Sequence, residues 1–352
     1  MSIPETADSR LDRFVTDLKS DVDNYIGHYG RYAGNAFWMK GISLLVTWAF
    51  LYIFLVFYSS SSIVAFLLAM AWGLCSLFII FNIGHDAVHG AISRYKRINN
   101  VMQYSFNLVG GNAYSWRLKH NVAHHLHTNI EGLDFDTDLS PLMRLSPKTP
   151  FQKQYRWQHF TFLLIYPLLS LLIVFVADYK IFQQAKKAGH VMTHPFKEWI
   201  ILVVSKLWYL CLALFIPMLY SPYSFPHILI AFISFQLLNG IVIACVFMPS
   251  HYFRGSKFYE ARSKDYNWFE HQMNTTMNLS PGNRFITQML GGLNLNVAHH
   301  LYPTFCHTHY NRLTGIIQRR AWQHGIGLHE LSYPAALREH VKYLRTLTSI
   351  HA

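Results

Sequence analysis

The stretch HNVAHHLHTN, from His120 to Asn129, packs four histidines into ten residues. Two other stretches concentrate imidazoles in the same way. HDAVH supplies His85 and His89, and NVAHH supplies Asn296, His299 and His300. Residues four apart on a helix share a face. His85 with His89, and His120 with His124, therefore each present two imidazoles to one side. Adjacent residues on a helix, such as His124 and His125, point about 100° apart and can serve two different ions. Imidazole is a good ligand for iron, zinc, copper and nickel. Seven histidines exceed the roughly four ligands of a structural zinc, so the pattern points to two metal ions. A carboxylate-rich di-iron bundle would show Glu-x-x-His pairs. None of the seven glutamates has a histidine three residues later.

These clusters must be positioned by apolar elements. Of 352 residues, 52% are hydrophobic and 14% charged. Average soluble domains carry roughly a quarter charged residues, so a bilayer is part of this chain's solvent. Five apolar stretches, about 41–59, 62–83, 160–177, 199–220 and 226–248, approach the ~20 residues a spanning helix needs. The net charge is +12. In a membrane protein this means basic cytoplasmic loops rather than nucleic-acid binding, and it suits an acidic electron donor or acyl carrier. Five basic residues precede residue 41, nine lie in 84–159, four in 178–198 and eleven after 248. Lys206 alone sits within an apolar run, near its end, where it could snorkel. The positive-inside rule puts the N-terminus, the 84–159 loop and the C-terminal region on the cytoplasmic side. Three apolar stretches separate the last two regions, so one must not cross. The 160–177 stretch, which contains Pro167 and is flanked by basic residues, reads as interfacial or re-entrant. The expected fold is an all-α integral membrane protein. Four transmembrane helices in two hairpins carry a cytoplasmic helical cap that holds a histidine-ligated di-metal site. Residues 1–40 read as a leader, 41–320 as the membrane domain and 321–352 as a tail. In the leader, Leu11, Phe14, Val15 and Leu18 recur at helical spacing, which suits an interfacial helix and equally a solvated one.

Other residues have plainer readings. The four cysteines form no CxxC, so neither a disulfide framework nor a zinc ribbon is indicated. His28, His159, His227, His324, His329, His340 and His351 read as ordinary surface or satisfied core residues. His190 and His194 have box spacing but lie in a basic loop, and read as solvated. His127, His307 and His309 sit beside clusters and are expected to tune them through hydrogen bonds. Asp134, Asp136 and Asp138 mimic a calcium loop, but Leu139 and Leu145 stand where its Gly and Glu belong. They are expected to orient histidines or cap turns. Asp86 reads either as holding an imidazole in one tautomer or as a helix-start acid.

With these boxes in order, the sequence resembles the membrane fatty-acid desaturases. The match runs through HDAVHG, WRLKHNVAHHLHTNIEGLDFDTDL, NWFEHQMNTT and GGLNLNVAHHLYPTFCHTHY, over roughly residues 40–320, and looks closest to bacterial linoleoyl or front-end acyl desaturases. The resemblance implies two non-haem iron ions, molecular oxygen as co-substrate, and removal of two hydrogens from a fatty acyl chain. The acyl carrier would be coenzyme A, carrier protein or lipid. Electrons would come from a separate ferredoxin or cytochrome-type donor, since no HPGG-type haem motif is present. It further implies that His85, His89, His120, His124, His125, His299 and His300 bind iron, with His251 as a further ligand and His271 either as a ligand or as a residue that supports one. Relatives begin the third box with Gln or His, where this chain has Asn296, which can ligate through its carbonyl or through water. Acetylenases and hydroxylases share the scaffold. A histidine-rich metal transporter is the alternative from another class, but it would place imidazoles along the membrane path. Here the four assigned spans hold only His227.

Overall fold

The computed structural model describes residues 7–262 and 266–349; His351 lies outside the described residues. Helix α1 (Ala7–Tyr29) leads into five helices long and apolar enough to cross a membrane. These are α2 (Asn35–Tyr58), α3 (Ser62–Val88), α4 (Lys153–Lys187), α5 (Phe196–Tyr220) and α6 (Phe225–His251). The shorter helices that follow include α7 (Trp268–Thr275), α8 (Asn296–Leu301), α9 (Tyr310–Gln323) and α10 (Tyr333–Thr346). Strand pairing among the described residues is slight. β1 (Asn278–Leu279) pairs parallel with β2 (Glu330–Leu331), Asn278 opposite Glu330.

Apart from the polar ends of α4, the long helices are apolar on every side, the pattern of a helix with no aqueous face. On α2, Ile42, Val46, Phe50, Ile53 and Phe57 are exposed at helical spacing, forming a stripe turned outward. The opposite side packs on α3, and α3 packs on α6. Small residues set the closest approaches. A Cβ on Gly240 of α6 would stand 2.0 Å from the Pro167 carbonyl oxygen of α4, so only glycine lets these two backbones touch. A Cβ on Gly73 would meet the Phe235 ring at 2.7 Å.

Helix α4 starts and ends against the segments around the histidines. Its first turns contact α10, where Gln158 Nε2 donates to the Leu344 carbonyl at 3.0 Å; farther along, Tyr166 Oη lies 2.6 Å from His340 Nε2. Its last turns bury Ile181 and Ala185 against Leu118, Ala123 and Phe135, beside the second histidine cluster. Between those ends it reaches down to Tyr209, Phe232 and Phe235 through Val174.

Three features lie beyond the reach of the sequence reading. The N-terminal helix docks one face on the fold and leaves the other exposed. Phe14, Leu18, Val22 and Tyr25 form a buried face against Leu313, Ile317 and Ala321 of α9. Arg320 of α9 forks onto Asp21 with two 2.7 Å contacts. Within the C-terminal segment, α10 buries Tyr343 and Leu344 against Tyr166, Leu169 and Met248. Lys206 does not snorkel. It is buried, donating to Asp178 at 2.5 Å and to the Gly110 carbonyl at 2.7 Å. A carboxylate within reach in an apolar wall holds the ammonium more firmly than a distant water layer.

Candidate metal centre

Four chain segments deliver the histidines to one end of the helical bundle. The last turn of α3 carries His85, with His89 just past its end; α6 ends on His251. The helical stretch 113–127 brings His120, His124 and His125, and the short α8 brings His299 and His300. The Asn112 side chain caps the start of the 113–127 stretch by accepting from the Ser115 N–H at 2.9 Å.

The imidazoles converge in two groups. His85, His89, His120 and His299 form one, and His124, His251 and His300 the other; His125 joins His299 and His300 between them. His120 Nε2 lies 3.1 Å from His85 Nε2, 3.2 Å from His125 Nε2 and 3.3 Å from His299 Nε2. His125 and His299 Nε2 atoms are 3.0 Å apart. Two nitrogens each ~2.1 Å from one metal are about 3.0 Å apart at right angles and about 3.4 Å apart in a tetrahedron. The observed separations fall in that interval.

The outer nitrogens explain why the inner ones are bare. His124 Nδ1 stands 3.1 Å from both Asp134 oxygens, His251 Nδ1 3.1 Å from the Thr275 carbonyl, and His300 Nδ1 2.8 Å from Gln272 Oε1. An imidazole that donates from Nδ1 keeps a lone pair on Nε2, and such partners fix both tautomer and ring direction. His299 Nδ1 meets the Tyr310 hydroxyl at 3.1 Å. His89 Nε2 and His300 Nε2 are buried without a hydrogen-bond partner. Orphaned buried acceptors normally cost about 1–3 kcal/mol each, which a metal would relieve. The donor set, all imidazole nitrogen with a carbonyl-bearing Asn296 nearby, fits iron among the metals imidazole suits.

Electrostatics agree. Burial and the neighbouring imidazoles hold His120, His125, His299 and His300 well below the usual imidazole range, so they are neutral and able to ligate. At His124 burial opposes the charge, but Asp134, with Asp136 at 3.4 Å, outweighs it and raises the value. Asp134 is likewise lowered: burial pushes it up, but His124 and the backbone N–H groups of Asn129 and Asp136 prevail.

Other expected residues go elsewhere. Asn296 Nδ2 lies 2.9 Å from His251 Nε2, so its amide faces the second group. His271 does not join either group. Its Nε2 meets the Thr128 carbonyl at 2.8 Å, and its ring sits beside Tyr259 and Tyr266. Consecutive helical residues diverge by about 100°, and on α7 it is Gln272 that turns inward. Gln272 binds His300, Thr128 Oγ1 at 3.1 Å and the His125 carbonyl at 3.1 Å. Asp86 holds His307, accepting from its Nδ1 at 2.8 Å and its backbone N–H at 3.0 Å, while His85 Nδ1 is 3.8 Å away. Asp138 orients no histidine. It sits four residues past Asp134 in a turn-rich loop, where no shared helical face directs it inward, and it pairs with Lys180 and Gln184 at 3.0 Å each. His190 and His194 stay apart from both groups, as their context suggested. Gln272, Thr275 and Tyr310 are the contributors that spacing missed. Only the adjacency of Gln272 to a flagged histidine hinted at any of them.

A cavity of about 550 Å³ leads away from the histidines between α3, α4 and α6. His251, Phe247 and Trp116 line its head, and Gln236 and Asn239 its far end. About 22 Å of α6 separates Gln236 from His251 at the rise of an α-helix. Its volume lies within the roughly 300–1,000 Å³ of pockets that enclose whole small ligands.

Residues 61–332 match the family model for fatty acid desaturases. The chain belongs to the fatty acid desaturase family. Among its relatives is an sn-1 linoleoyl-lipid 6-desaturase of Synechocystis, 29% identical over 343 residues, covering 94% of each chain. A protein of the same description from Arthrospira platensis is 30% identical over 70% of this chain and 67% of its own. An acyl-lipid (8-3)-desaturase of Physcomitrium patens is 26% identical over 97% of this chain and 73% of its own. This desaturase is thus an oxidoreductase with apolar helices suited to a membrane and a metal-competent histidine cluster at the head of a narrow apolar cavity.

Proposed function

We propose that the protein is an oxygen-dependent acyl-lipid desaturase with two histidine-held, non-haem iron ions. The convergence of bare Nε2 atoms at the head of the apolar cavity carries this reading. His85, His89, His120 and His299 would hold one ion. His124, His251 and His300 would hold the other, with His125 between them and Asn296 beside His251. Bound there, iron supplies activation of molecular oxygen strong enough to take two hydrogens from an unactivated acyl chain, with electrons from a separate ferredoxin or cytochrome-type donor.

The chain's own residues supply position and environment. Asp134, Gln272 and the Thr275 carbonyl hold the outer imidazole protons, so the inner lone pairs keep one direction. Phe81, Trp116 and Phe247 wall the head of the cavity and exclude water from the reacting methylenes. Methylenes are chemically alike, so the bond formed is set by how far the chain penetrates before it stops. Acyl-lipid is favoured as carrier because the relatives named above act on acyl-lipid substrates.

For topology we propose four crossings, α2, α3, α5 and α6, with α4 re-entrant and the histidine end cytoplasmic. The contact of the first turns of α4 with α10, through Gln158 and the Leu344 carbonyl, and of its last turns with the second histidine cluster supports a return to its starting side. The basic loops favour the cytoplasmic face.

Expression in a host with working electron transfer, followed by fatty-acid profiling, tests the function. New double bonds that vanish in His120→Ala are expected. Hydroxylated or acetylenic products would move the assignment to those reactions on the same scaffold, and metal uptake by vesicles without lipid change would move it to a transporter.

A further inference from the structure

The cavity reaches the surface along its flank, between the 139–142 loop and α4. Leu142 is 42% exposed and Val176 51%, and both line the cavity. They continue the exposed apolar side of α4 that carries Leu168 and Phe175. This opening therefore faces the same medium as the outward stripes of the spanning helices.

Charged groups stand at its rim in opposite pairs. Lys119 is paired with Asp136, and Lys180 with Asp138 at 3.0 Å, with Gln184 donating to the same carboxylate. The remaining acidic lining residue, Asp178, is paired with Lys206. Among the described residues, each lysine of the lining thus already has a carboxylate. Phosphate-rich carriers such as coenzyme A are bound by cations free to make charge-assisted contacts. A rim that offers equal numbers of ammonium and carboxylate groups instead suits a head that is uncharged or zwitterionic.

We propose that the acyl chain enters sideways from the bilayer through this opening, still esterified to a membrane lipid whose net-neutral head rests on the Lys119–Asp136 and Lys180–Asp138 pairs. The inference rests on the acyl-lipid reading above and adds the route and the chemistry of the head. The chain passes from one apolar medium to another, so no methylene is exposed to water on the way. The head stays at the rim while the tail runs past the histidines toward Gln236 and Asn239.

The test uses the full-length protein in phosphatidylcholine vesicles doped with phosphatidylcholine bearing a diazirine near the acyl ester. A parallel sample receives acyl-coenzyme A with the same diazirine. After photolysis, cross-links are mapped by mass spectrometry. The lipid probe is expected to label Leu142, Leu172 and Val176 at least tenfold more than the coenzyme A probe. Val176→Trp is expected to cut that labelling at least fivefold with an unchanged thermal melt. Label confined to the outer stripes of α2 and α5, or equal labelling by coenzyme A, overturns the proposal. Fatty-acid profiling of the same samples separates the two readings. Portal labelling without a new double bond sinks the desaturase reading and leaves the portal, whereas turnover without portal labelling does the reverse.

Discussion

Replacing Asp134 with Asn should remove one of the two proposed metal ions and spare the other. The Asp134 carboxylate is fully enclosed and accepts from three directions: His124 Nδ1 at 3.1 Å, the Asn129 N–H at 2.8 Å and the Asp136 N–H at 2.9 Å. An amide of the same shape must turn its NH2 toward one of these donors. That leaves two buried donors face to face, at a cost of about 1–3 kcal/mol. If the unsatisfied partner is His124, its Nδ1 proton is no longer held and Nε2 loses its fixed direction. Removing such a partner typically costs 10–100-fold in metal affinity, or about 1.4–2.7 kcal/mol. The effect should fall on His124, His251 and His300, because the ligand atoms of His85, His89 and His120 do not touch Asp134. The assay is iron per chain in purified protein after dialysis against graded chelator, with the fatty-acid profile measured alongside. Asp134→Asn should plateau at half the wild-type iron over a range of chelator and form no product. Asp136→Asn, a quarter exposed and farther from His124, should change the curve little. Wild-type iron retention in Asp134→Asn, or loss of both ions at the same chelator concentration, would refute the two-group reading and the role given to Asp134.

Further outcomes can be measured on the same material. Gln272→Ala should lower iron retention by about tenfold, while His271→Ala should leave it near wild type, since only Gln272 touches a ligand. Lys206→Met strands a buried Asp178 and should cost about 3–5 kcal/mol by thermal or denaturant unfolding, with much of that recovered when Asp178→Leu is added. Gly240→Val should depress stability and expression sharply, because its Cβ would stand 2.0 Å from the Pro167 oxygen; a wild-type melting curve would mean α4 and α6 do not touch there. In chelated protein, His120, His125, His299 and His300 hold values well below the ordinary one, so the unfolded chain binds protons that the fold refuses. Stability should then fall as pH drops below about 6.5, by up to ~1.4 kcal/mol per pH unit for each imidazole in its window. His124, with its value raised, works the other way: its contribution is complete below about pH 6.5 and fades as pH climbs through the folded value. Melts between pH 7.5 and 5.5 that stay flat or rise would show that the four neutral imidazoles are not buried together.

Much of this molecule is legible in one dimension. Apolar runs near twenty residues announce the long helices, because a chain with no aqueous face must satisfy its backbone within the helix. Histidines repeated at spacings of one and four announce a metal site, because that spacing turns rings to a common side of a helix. What the sequence could not convey is which partner stands behind each ring. Asp86 and Asp138 look as suitable as Asp134, and His271 stays open as a ligand or a residue behind one, until the chain folds. Direction decides between them. His251 ends a long helix aimed at the cluster, whereas His271 lies on α7 with its neighbour Gln272 facing in. The docking of α1 on α9, the pairing of Lys206 with Asp178 and the cavity between α3, α4 and α6 each join residues far apart in the chain. Local periodicity reports which face of a helix is apolar, and only packing reports what that face meets.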